Sequence, residues 1–300
     1  MTRGIMFLVA ATVLWSGNYI CGRYLAGEIS PVMLNTIRWG ISTVFLFILL
    51  FMTKRKIRLF RNWKEFLITG FYGMFAFSAL NYLSLNFIHA SVAGMFSAFS
   101  PVAILLFTPL VLKEKVPALA RAGTVISAAG VIILFLGKSR DPLEGSFFGG
   151  FFMLLACLAW GLYTVYGKKY GTNIDPLTMT AGAAFYGTVL SAVFTIGTGS
   201  FYVPELSPSA WLAVLYASTL ASVGAFFFWN FGVNIAGAGR SAPFINLLPV
   251  WTVLLGMILL NEKVTLMTWT GGIITISGAV LASMAKETDR ELKKNLSETL

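Results

Sequence analysis

The chain has 300 residues, of which 57% are apolar and only 11% charged, with a mean hydropathy of +0.79 and a net charge of +10. An ordinary soluble domain carries roughly 25% charged residues, so a soluble globular protein, a coiled coil, a collagen and a disordered chain are all excluded. A spanning helix needs about 20 apolar residues, and ten spans would leave roughly 100 residues for connections and tails and none for a soluble catalytic domain.

In chain order, charged residues and turn formers mark ten apolar segments, near 4–25, 31–53, 65–87, 90–111, 118–136, 147–169, 176–197, 210–234, 239–260 and 266–284. The first is uncharged from Gly4 to Gly22 and no small-residue cleavage site follows, so it reads as a span rather than a signal peptide. No charged residue lies between Glu65 and Lys113, so two helices share that stretch, with their turn expected near His89. Most of the 22 basic residues fall at the N-terminus, at 54–64 and 113–121, at Lys168 and Lys169, at Arg240 and in the tail. Basic residues crowd cytoplasmic loops, so both termini are expected in the cytoplasm and the chain in the inner membrane. This also accounts for the positive charge without nucleic acid. Cys21 and Cys157 sit in apolar runs and form neither a disulfide framework nor a metal site.

The sequence repeats itself. Trp15 and Trp160 stand 145 residues apart, as do Gly22 and Gly167, Arg23 and Lys168, and Pro31 and Pro176. Further on the spacing becomes 148: Asn86 and Asn234, Pro101 and Pro249, Gly123 and Gly271, Gly130 and Gly278, and Glu114-Lys115-Val116 with Glu262-Lys263-Val264. An insertion around 198–209 explains the change. The expected organisation is a first five-helix repeat at 1–140, a second at 141–285 and a charged cytoplasmic tail at 286–300. Five is odd, so the second repeat enters the membrane inverted. Inverted repeats with a site near the midplane are the architecture of many secondary transporters. The predicted fold is therefore an all-α integral membrane protein, ten transmembrane helices as two inverted five-helix repeats around a central cavity.

Leu14-Trp15-Ser16-Gly17-Asn18-Tyr19 with Arg38, and Asn261-Glu262-Lys263-Val264 followed by Gly271-Gly272 and Gly278, resemble the EamA-type repeat of the drug/metabolite transporter superfamily. Lys113-Glu114-Lys115-Val116, Gly123 and Gly130 carry the same pattern in the first half. The resemblance covers about residues 4–284. It implies ten helices, cytoplasmic termini, a central cavity, and export or exchange of small metabolites, often amino acids. Ala183 stands where Arg38 stands in the first copy, so any role of that arginine is not symmetric.

Polar side chains inside spans face a bundle interior or a wet cavity. The substrate-binding candidates are Trp15, Asn18, Tyr19, Arg38, Ser78, Tyr82, Ser100, Trp160, Tyr163 and Asn246. Ser78 and Tyr82 are four apart and share a helix face. Trp15 and Trp160 fall near mid-span, away from the interfacial belts aromatics favour. Arg38 either snorkels to the outer interface or meets a substrate carboxylate or a helix C-terminus. Pro101 and Pro249 are expected to kink the centres of the fourth and ninth helices. His89 is expected as a surface residue of a short turn.

No Asp or Glu lies deep in a span, which argues against a dedicated proton relay. The inventory of aromatics, hydroxyls and amides suits a small neutral or zwitterionic molecule, best an amino acid, aromatic ones included. The expectation is net export by alternating access, without cofactor or metal. Alternatives are a multidrug exporter or, in another class, a membrane-embedded enzyme or lipid-handling protein. Enzyme motifs are missing: Gly137-Lys138-Ser139 imitates a phosphate loop, but Ile132 stands where its earlier glycine belongs. Gly123, Ser127 and Gly130, and likewise Gly271, Thr275 and Gly278, present small faces that let helices approach closely. Packing within a monomer is favoured over dimerisation, and the expected partners are the small-molecule substrate and the lipid bilayer.

Overall fold

The computed structural model describes residues 2–113, 118–136, 146–171, 173–202, 204–236, 244 and 246–281. Among these the fold is helical, apart from one isolated bridge between Ala26 and Ile29. Seven helices are long and apolar enough to cross a membrane, and three shorter apolar helices fall in the remaining expected segments. In order they are α1 (Thr2–Tyr24), α2 (Pro31–Met52), α3 (Trp63–Ser84), α4 (Ala90–Leu112), α5 (Ala118–Leu136), α6 (Phe147–Tyr170), α7 (Pro176–Gly197), α8 (Pro208–Ser218 continuing through Ala225–Ala236), α9 (Leu247–Leu259) and α10 (Leu266–Leu281). The tail at 286–300, the Glu114-Lys115-Val116 copy, Arg240 and the Gly137-Lys138-Ser139 run lie outside the described residues.

Helix starts follow from local chemistry. Ser30-Pro31, Asp175-Pro176 and Ser207-Pro208 each place a capping side chain before a proline in the first turn. The cap oxygens accept from the N–H groups of Met33, Thr178 and Ala210. The proline supplies a preset φ where no amide proton is needed. At the other end, α4 stops at Lys113 and α9 is followed by Asn261, both left-handed at φ 57° and 52°, the conformation of a helix stop.

α3 and α8 are not uniform. Gly70–Phe77 and Leu220–Gly224 are π-helical, a form that appears in short stretches and frequently at functional sites. In α8 the wider turn is closed by hydroxyls: Ser222 Oγ donates to Ala217 O (2.8 Å), and Ser218 O accepts from Ser42 of α2 (2.8 Å).

The prolines act differently from the expectation. α4 is broken, with Ala90–Ser97 and Ser100–Leu112 joined through tight turns at Ala98 and Phe99. Pro101 lies in the first turn of the second piece, and Pro249 in the first turn of α9. Neither kinks a continuous helix at its centre. A first-turn proline costs no intrahelical hydrogen bond, so each starts a segment. The proline inside a helix is Pro109.

The first five helices and the last five interleave. α2 runs along α7, α1 packs on α8 and α9, α3 on α6 and α7, and the two pieces of α4 on α9 and α6. Close approach explains several glycines. A Cβ on Gly130 would lie 2.4 Å from Thr275 N, and one on Gly278 would lie 2.3 Å from Ser127 N. The two small-residue faces therefore pack on each other, backbone against backbone, within the chain.

Candidate functional site

Arg38 projects from α2 into the interior and is 6% exposed. Its Nε donates to Ser222 Oγ of α8 (3.0 Å) and its Nη1 to Ser78 Oγ of α3 (2.9 Å). The guanidinium carbon lies 4.8 Å from the Trp39 ring centre and 5.6 Å from that of Tyr82. One hydroxyl partner, Ser222, lies within a π segment, and the other, Ser78, directly follows the second one. Ser78 Oγ also accepts from Trp39 Nε1 (3.2 Å), so both of its lone pairs are engaged. Snorkelling to the interface, one of the two roles open to Arg38, is thus not what the side chain does.

A buried ion costs several kcal/mol in lost hydration. Each hydrogen bond from a charged donor returns about 1.5–3 kcal/mol, and a desolvated cation–π contact up to about 2 kcal/mol. These neutral partners hold the guanidinium without neutralising it. Among the described residues no carboxylate pairs with Arg38. With five N–H donors it has capacity to spare.

Around it lies a polar cluster. Tyr82 donates to Asn18 Oδ1 (2.9 Å) across α3 and α1. Tyr19, 4% exposed, has its hydroxyl beside Ser97 and Asn81. Asn81 is 2% exposed, yet neither of its amide atoms has a partner of hydrogen-bonding geometry. Such groups are uncommon in native interiors and call for an explanation, a water or a ligand among them.

The other candidates form a second, aromatic group. Trp160 packs between Phe77 (4.9 Å between ring centres) and Tyr163 (5.1 Å). Trp15 packs at a tilt against Trp229 (5.5 Å between ring centres). No ring contact joins Trp15 to Trp160. Asn246 is 8% exposed with its Nδ2 unpartnered, as is Trp251 Nε1. Ser100, half-buried, starts the second piece of α4. The structure thus joins Asn18, Arg38, Ser78 and Tyr82 directly, pairs Trp160 with Tyr163, and leaves Trp15, Ser100 and Asn246 apart from both sets.

The helix-two asymmetry has a steric cause. Ala183 is fully buried, and a Cβ on Gly70 of α3 would lie 2.5 Å from its carbonyl oxygen. α3 approaches α7 too closely there for an arginine.

A second buried charge sits at one end of the bundle. Glu262, between α9 and α10, is 6% exposed. It caps α4, accepting from Ala90 N (2.8 Å) and Ser91 N (2.9 Å), while the Ser91 hydroxyl also donates to it. His89 Nδ1 lies 3.5 Å away. Burial pushes this carboxyl up, but the hydrogen bonds from His89, Ser91 and the two backbone amides outweigh it and hold it below the usual carboxylate range. His89 is therefore a partner in a buried cap rather than a surface turn residue.

An all-helical bundle of long apolar helices around a polar interior is a multi-pass membrane protein. The EamA-like transporter family model matches residues 2–136 and 147–284. The chain belongs to this family, part of the drug/metabolite transporter superfamily, and is a membrane transporter. An uncharacterized transporter of Archaeoglobus fulgidus is 28% identical over 283 residues, spanning 93% of this chain and 96% of its own length. The uncharacterized transporter YetK of Bacillus subtilis is 25% identical over 287 residues, spanning 93% and 86%. A solved crystal structure with 20% identity has the same fold, with a TM-score of 0.63 over 95% of this chain and 97% of that one.

Sequence reasoning missed Ser222 as a partner of Arg38, and the Glu262–His89 cap. Ser222 gives no signal beyond being a serine in a span. Glu262 does: a lone acid recurring with Glu114 at a helix connection is a capping candidate.

Proposed function

We propose that the chain is a ten-span inner-membrane carrier of two inverted five-helix repeats, with both termini cytoplasmic. In this reading it exports small carboxylate-bearing zwitterions, most simply amino acids including aromatic ones, by alternating access. The observation that carries it is Arg38, a buried guanidinium held, among the described residues, by hydroxyls and aromatic faces. A carboxylate matches its fork with two parallel charge-assisted hydrogen bonds. The Trp160, Phe77 and Tyr163 rings offer the apolar wall an aromatic side chain would use.

The two pieces of α4 support the alternating part of the reading. Every residue from Ala90 to Phe99 is buried, and this piece packs on α9, α6 and α1. The piece from Ser100 onward packs on α6 and α5 and is mostly half-buried. The buried first piece fits a bundle closed at the end where α4 begins. With the termini inside, that end faces out.

Counterflow in proteoliposomes, with unlabelled amino acid inside and a labelled panel outside, tests the proposal. Saturable uptake of labelled neutral or aromatic amino acids, absent from empty liposomes and from the Arg38→Gln protein, is the expected result. No uptake of any amino acid by folded protein would overturn the substrate assignment. Uptake unaffected by Arg38→Gln would overturn the anchor.

A further inference from the structure

At the end of the bundle opposite Glu262, the α2–α3 connection folds against the α6–α7 connection and leaves a cleft of about 420 Å³. Arg58, Arg61, Asn62, Glu65, Tyr170 and Asn173 line it. Neither arginine has a salt-bridge or hydrogen-bonding side-chain partner among the described residues. The contrast is Arg55, three residues earlier, which pairs with Asp175. Two unpaired guanidiniums and one carboxylate leave this wall with a net positive charge.

The cleft lies where three spanning segments end: α3 begins at Trp63, α6 ends at Tyr170 and α7 begins at Pro176. Large apolar side chains at the end of α2 and along the α2–α3 connection are bare. Phe51 and Phe60 are each 85% exposed, Met52 72% and Trp63 45%. Trp63 beside basic residues is what the headgroup layer of a bilayer favours, and the bare Phe and Met side chains suit the acyl layer next to it. A water-filled loop would gain nothing from four such side chains within thirteen positions.

We propose that this cleft binds the headgroup of an anionic phospholipid. The phosphodiester lies between Arg58 and Arg61, and headgroup hydroxyls donate toward Glu65 and Asn62. The acyl chains run down over Phe51, Met52 and Phe60. Charge alone would place basic residues at this face. What singles out the site is a concave pocket holding two guanidiniums that have no side-chain partner among the described residues, on a connection that also carries bare apolar side chains. Basic pockets between spans are a known way of holding such headgroups. Bound there, a lipid bridges the α2–α3 and α6–α7 connections and ties the α3 end to the α7 end.

The test uses the full chain in nanodiscs of phosphatidylcholine with increasing phosphatidylglycerol, reading the thermal midpoint and the lipids retained by native mass spectrometry. The expected result is a midpoint that rises with phosphatidylglycerol and saturates, with one or two lipids retained. Arg58→Gln and Arg61→Gln each weaken the response about fivefold, whereas Lys54→Gln and Lys56→Gln, outside the cleft, leave it nearly unchanged. A lipid response equal in the arginine and lysine variants would mean diffuse surface attraction and overturn the site. An equal rise with inorganic phosphate in pure phosphatidylcholine would overturn the lipid assignment.

Discussion

Arg38 and Glu262 are both charged, each 6% exposed, and yet they are held in opposite ways. Glu262 meets two backbone amides, a serine hydroxyl and an imidazole. Its charge also sits at the N-terminus of the first piece of α4, where a negative charge is favoured. Arg38 meets two hydroxyls and two ring faces and, among the described residues, no opposite charge. A charge whose partners are all supplied by the fold serves the fold. A charge left short of a counter-ion is poised for something that arrives from outside. The comparison separates stability from transport, and each variant below is chosen to move one and not the other.

The largest effect is expected at Arg38. Removing one partner of a buried charge pair costs 2–5 kcal/mol in binding, on the order of a hundredfold in affinity or more. Arg38→Gln should therefore reduce counterflow by about a hundredfold or more, with the thermal midpoint unchanged or raised, because an uncompensated buried charge has been removed. Arg38→Lys keeps the charge but loses the fork and should retain a few per cent of transport. A large fall in stability with proportionate transport loss would make Arg38 a structural cation and dissolve the contrast.

Glu262→Gln should do the reverse. Losing the charge from a buried, fully bonded carboxylate costs about 2–3 kcal/mol, read as a lower midpoint in a denaturation series, with substrate affinity little changed. The pH dependence has a definite sign. The folded carboxyl titrates below its ordinary value, so its contribution is complete above the unfolded carboxylate range, near 4–4.5. It is lost as the pH falls through the lower folded value. The gap between wild type and Glu262→Gln should narrow only in acid.

Ser222→Ala tests how the cation is held. It removes the acceptor of Arg38 Nε and the donor to Ala217 O in the π segment. A midpoint drop of about 1–2 kcal/mol is expected, together with a several-fold rise in the substrate concentration for half-maximal counterflow. Unchanged affinity would mean that the guanidinium keeps its aim from Ser78 alone.

Much of this was legible in the sequence, and for a physical reason. In a membrane every polar side chain in a span is a signal, so Asn18, Tyr19, Arg38, Ser78 and Tyr82 stood out and do lie together or side by side. The small faces of α5 and α10 were readable because only close backbone approach makes use of a glycine at helical spacing. What stayed hidden was geometry that composition does not encode. The π segments at Gly70–Phe77 and Leu220–Gly224 look like any run of small and aromatic residues. The prolines pointed to kinks at mid-helix, whereas each sits in the first turn of a segment. The partnership of Glu262 with Ala90 and Ser91 spans more than 170 positions, so the recurring acid marks a capping candidate without saying which helix it caps.

The smallest effect is expected at a third charge, which tests whether burial is what separates the first two. Asp175 is the counterpart of Glu262 at the other end: it too caps a helix, accepting from Thr178 N, and it too has a basic partner, Arg55. But its side chain is 41% exposed and that of Arg55 47%. Partial burial pushes its carboxyl up, and the bonds from Thr178 and Arg55 bring it below the ordinary value, the same direction as Glu262. An exposed ion pair contributes between 0 and about 1 kcal/mol. Asn caps as well as Asp, so Asp175→Asn removes only the pair and should cost under about 0.5 kcal/mol, less still in high salt. Asp175→Ala, which also removes the cap, should cost about 1 kcal/mol more. If Asp175→Asn lowered the midpoint as much as Glu262→Gln, capping by a charge would be the common cause and burial irrelevant. A cost several-fold smaller, vanishing with salt, would leave burial as the reason one carboxylate holds the fold and the other merely decorates its edge.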